Sequence, residues 1–297
     1  MTTYLNLTDR EYEQLSEEIY KVVRAPRTWL EAIPQRKLDG FGVKDYSWYK
    51  QYDMSAIEVS MTGSIESFGR GYLEKNTAYI PVFSKDIDIP RRDLEASRRW
   101  GSSLNLRLQS LMAAKLMAKI NEVPGLGIST PIDVNPIAQD VTDAGSSADW
   151  GTQAVIEATI MDVIVTIRAN DHWGPYRAVM SSPLELNLNV HIGTSEAVVG
   201  DWARKLITDG MWGTNDIADS DGTAFGKASG TDNIFLAFAP QTEGQNNIEY
   251  LIAKEPTLEE TVGNGFDPRY KIYAAMIHEI YRSDAGAVFD SITDIGT

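Results

Sequence analysis

The run Ser103–Glu122, SLNLRLQSLMAAKLMAKINE, constrains this chain more than any other stretch. On a helical wheel Arg107, Lys115, Lys119 and Glu122 share one narrow stripe, and most of the remaining circumference is Leu, Met, Ala or Ile. A helix that apolar must be covered on several sides, so it predicts a central element around which the others pack. Pro124-Gly125 predicts its end.

Upstream, Thr8-Asp9-Arg10-Glu11 has the capping-box pattern. Tyr12, Leu15, Ile19, Val22 and Val23 follow at helical spacing, opposite Glu13, Glu17 and Lys21. The spacing predicts a helix from about Thr8 to Arg24, ended by Pro26. The aromatic segment LDGFGVKDYSWYKQYD is neither a regular helix nor a clean strand. From Ala56 the period changes to two, with Ile57, Val59 and Met61 alternating with Glu58, Ser60 and Thr62. A tip with Gly63, Gly69 and Gly71 leads to a returning run, AYIPVFSKDIDI, giving an extended hairpin. A lone hairpin is barely stable in water, so this one is expected to lie on a neighbouring copy. The amphipathic N-terminal helix, which looks separate from the rest, carries the same expectation.

Gly125 to Trp150 is rich in Pro, Asp, Ser and Gly and predicts a loop or a crossing between domains. TQAVIEATIMDVIVTIRA predicts a helix whose polar stripe is Thr152, Thr159, Asp162 and Thr166. EAVVGDWARKLIT predicts a short helix, and Gly210 to Gly230 a loop. NIFLAFAP, IEYLIAKEP and the long run RYKIYAAMIHEIYRSDAGAVFDSI predict strands, which makes the class α+β.

The 297 residues suffice for one large or two modest domains. With no cysteine, disulfides, thiolate nucleophiles and Cys-based zinc sites are excluded. A net charge of −15 argues against a general nucleic-acid binder, whose affinity comes from Lys and Arg on phosphates. No stretch predicts a membrane span, and the N-terminus does not have the pattern of a secretory signal.

The chemistry-bearing residues point away from catalysis. His172 stands beside Asp171, but neighbours in a turn face different ways and no Gly-x-Ser-x-Gly elbow occurs. His278-Glu279 begins like a zincin helix, yet Arg282 stands where the second His is needed, and the pair lies in an alternating, strand-like run. Asp216–Gly222 fails as a calcium loop, since alignment puts Ile217 and Ala228 at ligand positions. Gly69-Arg70-Gly71 and Gly263-Asn264-Gly265 both lack the third glycine of a dinucleotide loop. The pairs Arg91-Arg92 and Arg98-Arg99 are expected to form ion pairs with carboxylates of neighbouring chains. No catalytic residue, cofactor or metal is therefore expected.

The order of these elements resembles the shell proteins of Hong Kong 97-type fold, the tailed-virus major capsid proteins and encapsulins. LTDREYEQLSEEIYKVVRAPRTWL is similar to the encapsulin N-terminal helix, and Ala56 to Ile89 to the E-loop. RRDLEASRRWGSSLNLRLQSLMAAKLMAKINEVPGLGIS resembles the helix pair leading into a Gly-Leu turn. VIEATIMDVIVTIRANDHWGPYRAVMSSPLELNLN resembles the axial-domain helix, turn, central strand and next helix, and YKIYAAMIHEIYRSDAGAVFDSI the closing strands. Gly210 to Asn247 does not match well, and the ending TDIGT lacks the apolar terminus common in encapsulins.

The resemblance implies an N-terminal arm over 1–50, an E-loop hairpin over 51–90, a peripheral domain from 91–128 and 266–297, and an axial domain over 129–265. It makes Asn170–Asn189 a structural joint: Gly174 and Pro175 reverse the chain, and Ser181 or Ser182 caps a helix with Pro183 in its first turn. It implies a non-enzymatic major capsid protein, whose pentamers and hexamers form an icosahedral shell around packaged double-stranded DNA without sequence-specific binding. Minor capsid or cement proteins would be further partners. The shell would assemble in the host cytoplasm and reside in the virion, with no membrane involved. The alternative is an encapsulin enclosing a cargo enzyme whose tail docks on the N-terminal helix. Expected subunit contacts are Ile57, Val59, Met61, Phe68, Arg70, Tyr72, Ile80 and Val82 in the E-loop, and Tyr12, Leu15 and Ile19 in the N-terminal helix. Lys75 and Lys85 are present, but no acceptor is apparent, so no covalent cross-link is expected.

Overall fold

The computed structural model describes residues 7–51, 73–100, 106–129, 133–146, 148–189, 191, 197–218, 233–261 and 269–292. Its helices are α1 (Asp9–Val23), α2 (Thr28–Ala32), α3 (Arg91–Trp100), α4 (Arg107–Leu126), α5 (Ile137–Asp140), α6 (Gln153–Ala169), α7 (Ser182–Asn187) and α8 (Val199–Leu206). The strands begin with β1 (Gln35–Lys37), β2 (Asp45–Gln51), β3 (Leu73–Tyr79), β4 (Val82–Asp88), β5 (Thr142–Ser146), β6 (Arg177–Ser181) and β7 (Met211–Thr214). They continue with β8 (Asn233–Phe238), β9 (Gln241–Thr242), β10 (Gln245–Asn246), β11 (Ile248–Thr261), β12 (Arg269–Ile280) and β13 (Gly286–Ile292).

As its composition requires, α4 is central. Ala113, Leu116, Met117 and Ile120 are buried in one core with Leu15 and Ile19 of α1, Trp29 of α2, and Tyr250, Ile272 and Met276 of β11 and β12. The N-terminal helix is therefore not separate. Its capping box forms, with Thr8 N–H donating to Glu11 Oε2 at 2.8 Å, and its apolar stripe closes on its own chain. The helix α4 also runs past the expected stop, through Pro124 to Leu126, and Gly127 at φ 68° ends it. Proline removes one helical donor, which leaves the Ile120 carbonyl free. The buried Tyr250 hydroxyl donates to that oxygen at 3.0 Å.

Two sheets flank the spine. The first has the order β1-β11-β12-β4 and the second β5-β13-β8-β6-β7. In β8, Ile234, Leu236 and Phe238 face the α4 core, while Phe235 and Ala237 face a second core under α6, α7 and α8. Covered on both faces, such a strand needs the near-continuous apolar run NIFLAFAP. The sheets do not follow the expected division at residue 265. Strand β11 pairs with β12 in the first sheet, whereas β13 joins the second.

Several local expectations give way to tertiary contacts. The segment expected as a loop after Gly125 contains α5 and β5, and the loop after Gly210 begins with β7, paired in parallel with β6. Thr159, expected on a polar stripe, is buried, and its hydroxyl donates to the Val155 carbonyl at 2.9 Å. The exposed side of α6 instead carries Met161 and Val165 beside Asp162. Ser181 occupies the N-cap of α7, but its hydroxyl is turned to β8, accepting from Ile234 N–H at 2.9 Å. Pro183 sits in the first turn as expected.

Candidate functional site

The arm departs from the body at β2 and β3, which pair antiparallel from Asp45 opposite Tyr79 to Gln51 opposite Leu73. The segment expected to be irregular is thus the outgoing strand. The returning run divides at Ile80-Pro81: β3 belongs to the arm, and β4 pairs with β12 in the first sheet. The arm root is consequently held by its own chain. Tyr46 and Val43 pack on a small core of Ile80, Leu251, Ala253, Ala275 and Ile277. The Trp48 ring meets Tyr281 edge-on at 5.4 Å and stacks with Tyr46 at 6.1 Å. Below them the buried Glu249 carboxylate accepts from Tyr281 Oη at 2.8 Å and lies 3.5 Å from the Arg36 guanidinium, which sits over the Tyr46 ring. These half-buried ring contacts hold β2 against the end of β12.

The expected contact residues separate on this framework. Ile57, Val59, Met61, Phe68, Arg70 and Tyr72 lie outside the described residues. Ile80 is only 6% exposed, closed inside the core under the arm root, and Leu15 and Ile19 are fully enclosed by the α4 core. Those three have no free surface for a neighbour, because their own chain uses it first. Val82 is 53% exposed on β4. Tyr12 is partly exposed, with its ring 5.9 Å from Tyr270 and its hydroxyl 3.4 Å from the Leu258 carbonyl.

Beside α1 runs a groove of about 390 Å³. Val23, Leu30, Met117, Ile252 and Met276 supply apolar wall, and Arg24 and Arg27 stand at its rim with Glu31 and Glu255. Arg27 Nε is buried without a partner, and burial lowers the pKa of that guanidinium. One arginine of each pair finds a carboxylate in its own chain: Arg98 donates twice to Glu11, at 2.9 and 2.6 Å, and Arg91 donates to Glu95 at 2.7 Å. Arg98 holds the Glu11 carboxyl down at about 2.

His172 is fully buried and faces Thr242 and Asp284 rather than Asp171. Its Nδ1 is 2.5 Å from Thr242 Oγ1, a hydroxyl that also accepts from Asn247 Nδ2 at 2.7 Å, and its Nε2 is 3.4 Å from Asp284 Oδ1. Tyr176 Oη donates to the His172 carbonyl at 2.7 Å and accepts from Arg168 Nε at 3.1 Å. Burial lowers the imidazole pKa against the pull of Asp284. The turn, with a cis Gly174–Pro175 bond, is latched to the β9–β10 hairpin and to Asp284. The turn has the closed, hydrogen-bonded form of the joint that the resemblance implies, with the histidine enclosed.

His278 and Glu279 are strand residues of β12, opposite Tyr250 and Glu249 of β11. Of the calcium-like stretch, Ile217 and Ala218 are buried, and 219–222 lie outside the described residues, as do both Gly-x-Gly stretches. No group of three or more His, Asp or Glu among the described residues could hold a metal ion, and no described helix is long and apolar enough to cross a membrane.

The same architecture recurs in solved shells. A virus-like particle from Pyrococcus furiosus superposes with a TM-score of 0.69 at 14% identity, covering 95% of this chain and 100% of that one. The capsid of Myoviridae phage XM1 gives 0.63 at 13% identity over 90% and 92% of the two chains, and the capsid of a native GTA particle gives 0.63 at 12% over 91% and 92%. The chain has the Hong Kong 97-type fold. No family model matches the sequence. The type 1 encapsulin shell protein EncA of Myxococcus xanthus is 24% identical over 241 residues, 78% of this chain and 80% of the relative. Within the Hong Kong 97-type fold the arm root, the α1 groove and the His172 latch are three separate places. Residue spacing gave the returning strand of the first, and the family resemblance gave the joint at the third. The groove had no sequence signal, because its walls come from α1, α2, α4, β11 and β12.

Proposed function

We propose that this chain is the subunit of a self-assembling, closed shell of the encapsulin type, built from many copies and enclosing a cargo protein. The observation that carries the reading is the similarity to EncA over 241 residues, which spans most of both chains. The groove beside α1 supports it, since its apolar floor and mixed arginine and glutamate rim suit an extended apolar segment with polar flanks. The arm would add the inter-subunit contact, a two-stranded ribbon anchored at its root lying on a neighbour, and exposed Val82 on β4 and Tyr12 on α1 would add further contact surface. Many modest contacts of this kind produce a strong closed assembly. The shell would form and remain in the cytoplasm.

A second reading, the DNA-filled virion shell of a tailed virus, is favoured by the phage capsid superpositions and by a net charge of −15, which would keep DNA from adhering to the wall. Electron microscopy of the purified protein tests the shell, and its contents separate the readings. A co-purifying protein whose tail occupies the α1 groove supports the encapsulin reading; nuclease-protected DNA in the particles supports the virion. Protein that stays monomeric at high concentration defeats both.

A further inference from the structure

The inner stripes of α1 and α4 are buried in one core, Leu15 and Ile19 together with Ala113, Leu116, Met117 and Ile120. The outer stripes of the same two helices are exposed and unlike each other. On α4, Leu108 and Leu111 are 53% and 51% exposed, and their spacing puts them on one face, flanked by Arg107 and Lys115. On α1, Tyr12, Ser16 and Tyr20 follow at intervals of four, with Glu13 and Glu17 beside them. The small serine between two rings leaves an outer groove of about 560 Å³, which all five residues line. Tyr12 is a fixed wall of it, its ring against Tyr270 and its hydroxyl at the Leu258 carbonyl. This outer groove meets the one proposed for cargo only at Tyr20 and Arg24.

The two faces carry opposite charge. Residues 91–119 hold seven Lys or Arg and two Asp or Glu, a basic block in a chain of net charge −15. Residues 9–18 hold five Asp or Glu and one Arg. Lys115 and Glu13 are exposed, and neither has an ion-pair partner in its own chain among the described residues. Copies of an acidic chain repel over most of their surface, so contact is favoured where one presents its basic block to the carboxylates of another. Shape agrees with charge. Two leucines three positions apart make a ridge about 4.5 Å long on the helix axis, and rings eight positions apart bound a notch of about 12 Å. Within one chain the two faces cannot meet, because α1 and α4 already pack through their other sides.

We infer that the outer groove of α1 receives the Leu108–Leu111 ridge of α4 from a second copy of this chain, with the second copy's Lys115 paired to Glu13. The inference rests on the shell reading, which supplies the neighbouring copy, and it gives the exposed Tyr12 a partner.

The chain has no cysteine, so introduced thiols report this contact without background. Full-length Ser16→Cys and Leu111→Cys chains, one carrying a mass tag, are mixed as dissociated subunits, assembled and oxidised. A disulfide joining the two kinds of chain is expected in the particles, in about tenfold excess over that of Ser16→Cys with Asp162→Cys, a control on the exposed side of α6. Charge exchange gives a second readout. Lys115→Glu is expected to lower particle yield at low salt about tenfold, and adding Glu13→Lys to restore it. Both positions are exposed, so far-UV circular dichroism is expected to show folded subunits throughout. Particles that form without the mixed disulfide above the control overturn the inference and leave the shell reading standing, as does a yield that Glu13→Lys fails to restore. Wild-type protein that forms no particles removes the shell reading and this contact together.

Discussion

Tyr250 Oη donates at 3.0 Å to the Ile120 carbonyl, the acceptor that Pro124 leaves without its helical donor. The hydroxyl is wholly buried, and burial pushes its pKa far up. A strand thereby supplies the bond that a helix residue cannot. Tyr250→Phe is expected to cost about 1–3 kcal/mol, because it strands a buried carbonyl. Pro124→Ala restores a main-chain N–H to the same oxygen, so the cost of Tyr250→Phe is expected to shrink in that background. Urea unfolding of dissociated subunits across the four-member cycle measures the coupling.

Gly125 follows that proline because nothing larger fits. A Cβ there would overlap the Asp216 carbonyl oxygen and lie 2.7 Å from Trp29 Nε1, the indole nitrogen that donates to the same carbonyl at 2.7 Å. Gly125→Ala gains helix propensity but has to push α2 and β7's end away. A net loss of about 2–3 kcal/mol is expected, read as a lowered Tm.

The Arg98–Glu11 pair ties α3 to the first turn of α1. Glu11 sits at about 2 in the folded chain against an ordinary 4.5, so its contribution is full above about pH 4.5 and is lost as pH falls towards 2. Arg98→Ala is expected to flatten this acid limb. Denaturant melts between pH 2 and 6 compare the two proteins, and at neutral pH the variant should lose about 1 kcal/mol.

His278 takes up its proton at lower pH than a surface histidine. Burial holds it at about 4 against 6.5, so folding favours its neutral form. Its contribution is complete above pH 6.5 and disappears as pH falls to 4, a loss on the order of 2–3 kcal/mol. His278→Gln is expected to remove that slope, which a pH series of thermal melts on dissociated subunits would show.

Trp48 is the hinge pin of the arm. Trp48→Ala deletes the edge contact with Tyr281 and the stack with Tyr46 while leaving both cores untouched. The expected outcome is a folded subunit with an unchanged far-UV circular dichroism spectrum and a sharply reduced particle yield by size-exclusion chromatography. A full yield of normal particles would show that the arm's angle does not govern assembly.

Local pattern made much of this legible. The capping box at Thr8, the apolar circumference of α4 and the strand runs of β8 and β12 each rest on neighbours in sequence, so spacing alone reports them. What spacing misplaced depends on distant partners. Asp45–Gln51 looked irregular because its aromatic residues serve β3 and Tyr281 instead of a simple inside–outside alternation. Leu15, Ile19 and Ile80 looked available to a neighbour, because an apolar stripe does not say which surface will cover it.

The sequence by itself determined the longer helices and the apolar strands and that one helix must lie at the centre, since propensity, period and capping act over a few residues. Tertiary structure alone decided that Tyr250 completes the proline-broken helix and that β11 and β13 exchange sheets. Those outcomes depend on groups far apart in sequence meeting in the folded chain, Ile120 and Tyr250 among them, 130 positions apart in a low-dielectric interior where an unpaired carbonyl must find a partner.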